Sequence, residues 1–67
     1  MNKTAQMREL LTRDEVAARL RLGVEQVEQL VATKQLIAIT ICGVRRFDSA
    51  DVANLIATYK AVAERKL

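Results

Sequence analysis

Apolar residues recur at helical spacing over two short stretches, Val16-Ala17-Leu20 and Val27-Leu30-Val31, separated by the three-residue break Arg21-Leu22-Gly23. The pattern predicts one helix over 13–20 with Asp14, Ala18 and Arg19 facing solvent. It predicts a second over 24–33 with Glu25, Gln26, Glu28 and Gln29 outside. Two helices joined so tightly must pack against each other. From Leu36 to Ile41 the spacing changes to alternation, Cys42-Gly43 supplies a turn, and Val44 to Phe47 returns, which together predict a β-hairpin. Two strands alone are marginal, so the hairpin must lie against the helices. Alternation puts Ile37, Ile39 and Ile41 on one face and Leu36, Ala38 and Thr40 on the other. The sequence leaves open which face is buried, because a shift of one residue inverts them. After Asp48 the helical period resumes at Val52, Leu55, Ile56, Tyr59, Val62 and Ala63, predicting a third helix that runs close to the C-terminus.

The helix starts carry their own signal. An apolar residue, a cap, an acid or Gln three positions past the cap, and then Val occur in Leu11-Thr12-Arg13-Asp14-Glu15-Val16, Leu22-Gly23-Val24-Glu25-Gln26-Val27 and Phe47-Asp48-Ser49-Ala50-Asp51-Val52. Glu15, Gln26 and Asp51 are placed to reach back to the free N–H of the cap, and the flanking apolar pair is placed to close as a staple. A Thr or Asp cap contributes about 1 kcal/mol, enough to set a boundary in a small domain. Gly23 is the weakest of the three, having no side-chain acceptor. Phe47 and Leu22 are expected in the core, and one Phe with one Tyr cannot form an aromatic stacking face.

Residues 1–9 are polar and aperiodic and are expected to form a flexible arm, with a single domain over residues 10–67. Sixty-seven residues with 51% apolar content support one small core and little interior for an enclosed substrate pocket. The lone Cys42 has no partner for a disulfide and fits a reducing cytoplasm. No stretch has the length of a signal h-region or a membrane span, so no membrane partner is expected. The net charge of +3 is unevenly spread: residues 1–22 carry +2, 23–35 carry −1, and 36–50 and 51–67 carry +1 each. Positive charge therefore flanks the second helix rather than lying on it.

Catalysis finds no support. The chain has no His, its only Cys and only Ser are isolated, and Gly23 and Gly43 stand too far apart for a phosphate-binding loop. Asp14-Glu15 and Asp48/Asp51 sit in first turns of helices, where acids meet free N–H groups and the positive dipole end. No metal site, cofactor or catalytic residue is expected.

This order of parts is mostly α with a small β-hairpin, and it predicts a winged helix-turn-helix of three helices plus a wing. The stretch Leu10-Leu11-Thr12-Arg13-Asp14-Glu15-Val16-Ala17-Ala18-Arg19-Leu20, with Val27, Leu30-Val31, Lys34-Gln35-Leu36-Ile37-Ala38-Ile39, Gly43, Arg45-Arg46-Phe47 and Asp51-Val52, resembles the excisionase-type DNA-binding domain of the MerR-like group. The resemblance covers residues 10–57. It implies a protein that binds double-stranded DNA with its second helix in the major groove and its hairpin on the adjacent backbone or minor groove. It further implies a role in phage or mobile-element excision beside an integrase or recombinase, or in transcriptional control; with the cytoplasm expected from the lone cysteine, the location expected is cytoplasmic and nucleoid-associated. The implied groove-facing residues are Val24, Glu25, Gln26, Glu28 and Gln29, with Arg45 and Arg46 on the wing. Lys34 and Arg21 stand where the family usually has Gly, and Arg, Lys or Tyr is common where this chain has Glu25, Glu28 and Gln29.

Arg13, Arg21 and Lys34 are candidates for phosphate contacts along the groove edges. The modest charge of one unit points to a homo-oligomer on DNA. Tyr59, Val62 and Ala63, past what the core needs, are a candidate contact between copies or, alternatively, a tail lying over the domain's own surface. The competing expectation is a protein-interaction module that meets a recombinase or repressor through its acidic second helix. DNA binding requires that the outer side of that helix be uncovered by the chain. It also requires that Arg45 and Arg46 not both fold inward onto acids.

Overall fold

Thr12 opens the first helix with a reciprocal capping box. Its hydroxyl accepts from Glu15 N–H at 3.1 Å while its own N–H donates to Glu15 Oε1 at 2.8 Å. Helix α1 spans Arg13–Leu20, followed by α2, Val24–Ala32, where Gln26 Oε1 reaches back to Gly23 N–H at 2.6 Å. At the third start Asp48 accepts from Ala50 N–H at 2.9 Å, and α3 runs over Ser49–Glu64. The computed structural model describes residues 9–65, so the expected arm lies outside the described residues except for Glu9. Glu9 is held rather than free: its N–H donates to Ser49 Oγ at 2.8 Å, its carbonyl accepts from Ser49 N–H at 2.8 Å, and its carboxylate pairs with Arg19 at 2.8 Å.

The described residues form three helices and a three-stranded antiparallel sheet ordered β1-β3-β2, where β1 is Leu10–Leu11, β2 is Ile39–Ile41 and β3 is Val44–Asp48. Strand β1 is too short to show a period in the sequence and adds an edge that the expected hairpin lacked. The β2–β3 turn has positive φ at both central residues, Cys42 at 52° and Gly43 at 80°, matching the right-handed twist of the arms. The expected strand from Leu36 is shortened to Ile39–Ile41. Leu36 belongs instead to the closure of α2: Gln35 N–H and Leu36 N–H both donate to the Leu30 carbonyl, at 2.8 and 3.1 Å, around left-handed Lys34, φ 67°. The same closure ends α1, with Leu22 N–H on the Ala17 carbonyl at 3.0 Å and Arg21 at φ 56°.

Side-chained residues at both left-handed positions cost about 1 kcal/mol each. Lys34→Gly is therefore expected to raise the melting temperature by several degrees, read by circular dichroism. A lower melting temperature would show that the lysine side chain contributes more than its backbone costs.

The core joins all the layers: Leu11, Val16, Ala17, Val27, Leu36, Phe47 and Val52 are buried together, with Leu20, Leu30, Val31 and Ala38 packed at its margin. Of the two alternating sets, Leu36 is buried and Ala38 half-buried whereas Ile37 and Ile41 are exposed, but the sorting fails within β2 itself, where Ile39 is half-buried and Thr40 exposed. Leu22, expected in the core, is 41% exposed, because the closure of α1 turns the chain outward there. On α3 the apolar stripe divides: Val52 and Leu55 are buried, whereas Ile56, Tyr59 and Val62 are exposed. No helix among the described residues is long and apolar enough to cross a membrane.

Candidate nucleic-acid interface

Glu25, Gln26 and Gln29 lie exposed on the outer side of α2, uncovered by the described chain. Glu28, at the margin of that side, is half-buried beside two arginines from other elements. The Arg13 guanidinium, from the first residue of α1, donates to Glu28 Oε2 at 3.2 Å. Arg45, from β3, donates to the same carboxylate through both terminal nitrogens, at 3.0 to 3.3 Å. These hydrogen bonds, Arg45 first and Arg13 second, with the attraction of both charges added, hold the Glu28 carboxyl below the usual range despite partial desolvation. The ionised carboxylate is the form that accepts from both guanidiniums, and the pairing favours it.

Strand geometry explains why Arg45 reaches α2. Successive residues of β3 point to opposite faces, and Arg45 shares the face of buried Phe47, whose ring lies 5.5 Å beneath its guanidinium. Arg46 points the other way, lining a shallow depression with Leu10, Ile41 and Val44 and donating to the Arg45 carbonyl at 2.8 Å. Arg45 and Arg46 both lie on the hairpin, as expected, but they leave opposite faces of β3. One arginine is paired with an acid of α2 but stays 40% exposed at its side chain, and the other makes no ion pair among the described residues.

The remaining candidates are dispersed. Thr12, Arg13, Asp14 and Arg45 line one open depression beside the start of α1. Lys34 lies against α3, in a depression with Asp51, Asn54 and Thr58, and does not join the Arg13–Glu28–Arg45 group. Arg21 is exposed at the closure of α1. Of the two glutamines, Gln26 accepts from the Gly23 N–H through its carbonyl oxygen, which holds its side chain back over the helix start. Gln29 makes no side-chain hydrogen bond among the described residues and retains both groups.

A second surface adjoins the far end of α2. Leu20, Leu22, Leu30, Leu55, Ile56 and Tyr59 line an apolar cleft of about 330 Å³. The Tyr59 hydroxyl donates to Gln35 Oε1 at its edge. Val62, 59% exposed, continues the apolar ridge of α3 one turn further. No family model, curated protein or solved structure matches this chain.

Proposed function

We propose that this chain is a sequence-specific double-stranded DNA-binding protein of the winged helix-turn-helix type, with α2 in the major groove and the β2–β3 hairpin beside it. The observation that supports this best is the convergence of Arg13 and Arg45 on Glu28, which rims an otherwise uncovered helix face with guanidiniums from two other elements. Arg13 and Arg45 contact phosphates, Gln29 reads a base edge, and Glu25 and Glu28 are acceptors for cytosine amino groups. Arg21, Lys34 and Arg46 add phosphate contacts at the margins. The protein works in the nucleoid as a homo-oligomer, two copies meeting across the α3 ridge of Ile56, Tyr59 and Val62 and the cleft beside it. Its role is that of an excision factor acting beside an integrase or recombinase, as the excisionase resemblance implies, or of a small transcriptional regulator.

A selection from a pool of random duplexes is the direct experiment. It is expected to enrich one sequence that the protein binds at least tenfold more tightly than the starting pool. A pool that fails to enrich contradicts sequence-specific binding and favours a protein partner on the acidic helix.

A further inference from the structure

We infer that Glu28 is a specificity-determining group that withholds Arg13 and Arg45 from the phosphates of non-cognate DNA. The inference rests on the DNA-binding function proposed above and assigns a chemical role to one side chain within it. Three observations carry it. The carboxylate receives donors from both arginines, at 3.2 Å from Arg13 and from 3.0 Å from Arg45, so two of the cations nearest α2 are already partnered in the free protein. All three side chains remain partly exposed, at 48%, 40% and 39% for Arg13, Arg45 and Glu28, so the pairs are open to exchange with a polyanion. Glu28 also lies at the margin of the exposed side of α2, next to Glu25 and half-buried where that side meets α1 and β3, so it stands between the arginines and the helix face proposed to enter the groove.

An exchange has two halves. Phosphate oxygens must replace the carboxylate as acceptors for the guanidiniums, and the vacated carboxylate must find a donor or be left facing a polyanion. A random duplex offers phosphates everywhere but a donor only by chance. The major-groove edge of cytosine presents its N4 amino group, which a carboxylate accepts. A site with cytosine under Glu28 therefore completes both halves, whereas other sites leave the arginines on Glu28 and forgo their phosphate contacts. Discrimination thus arises from the cost of an incomplete exchange, not only from the added contact.

Glu28→Gln keeps the side-chain shape on a surface helix position and removes the charge shared by both arginines, leaving Arg13 only its longer pair with exposed Asp14 at 3.9 Å. Anisotropy titrations of a random-sequence duplex, run over a salt series, should show tighter binding by roughly tenfold at 50 mM salt. The plot of log K against log salt should steepen by about 2, one counterion equivalent for each released guanidinium. The ratio of affinities for the selected and random duplexes should fall. A second variant checks the same claim should E28Q fold poorly: Arg45→Ala should flatten the slope for the selected duplex and leave that for the random duplex nearly unchanged. Weaker binding or an unchanged slope for E28Q, or an equal loss for both duplexes in R45A, would overturn the inference. Absence of any salt-dependent duplex binding by the wild-type protein would overturn the DNA-binding function itself, a result distinguishable from failure of the exchange alone.

Discussion

Phe47→Ala is expected to remove a large share of the domain's stability and to lower or abolish its cooperative thermal transition. The ring is fully buried, the largest of the fully buried side chains, and it stands on the central strand between the short edge β1 and the hairpin arm β2. It touches the same core as Leu11, Val16, Val27 and Val52, so one cavity would loosen the sheet, α1, α2 and α3 together. Phe→Ala in a core costs about 3–5 kcal/mol. A chain of 67 residues has a total stability of about 3–10 kcal/mol at the usual value per residue. The substitution thus removes a large share of what exists, and it also takes away the apolar floor beneath Arg45. A thermal scan by circular dichroism should show the cooperative transition lost or lowered by roughly 15 °C or more. A transition within a few degrees of the wild type would show that the core is not organised around this ring.

Much of this arrangement was legible in the sequence because its determinants are local. The bounds of α1 follow from Thr12 and Glu15 at one end and the break at Arg21 at the other, and the structure places them at Arg13–Leu20. The resemblance also marked Arg21 and Lys34 as residues standing where Gly is usual, and both adopt left-handed backbone. Legibility failed where partners are far apart in the chain. Strand β1 is defined only by its pairing with Phe47 and Asp48, and two residues show no alternation. Leu36 reads as strand by alternation but is captured by the Leu30 carbonyl at the end of α2.

The Arg13–Glu28–Arg45 group joins residues fifteen and seventeen positions apart, so no spacing rule announces it. One signal for it did exist. With Phe47 assigned to the core, the period of two along a strand sends Arg45 toward the helices and Arg46 away from them. Leu22 was misplaced for the opposite reason: its apolar side chain suggested burial, while the helix closure that decides its position involves only backbone groups.

The second large effect concerns binding. Arg45 and Arg46 leave opposite faces of β3, one toward α2 and one toward the outer side of the sheet. On the proposed DNA interface, replacing both by Ala removes two phosphate contacts and the counterion release that accompanies them. Each phosphate contact contributes about 1 to the dependence of log K on log salt, and the double variant should therefore lose about 2. Affinity for the selected duplex should fall by roughly tenfold or more at moderate salt. Neither guanidinium is buried in the core, so the variant should keep its helical content, separating this loss from that of F47A.

The measurement that tests the central claim most directly is the binding of the selected duplex by the wild-type chain and by R45A/R46A, followed by fluorescence anisotropy between 50 and 200 mM salt. A surface formed by α2 and the hairpin arginines predicts a linear fall of log K with log salt in the wild type and a slope shallower by about 2 in the variant. Equal slopes for the two proteins, or a wild-type chain that holds the selected duplex no better than random DNA, would contradict it.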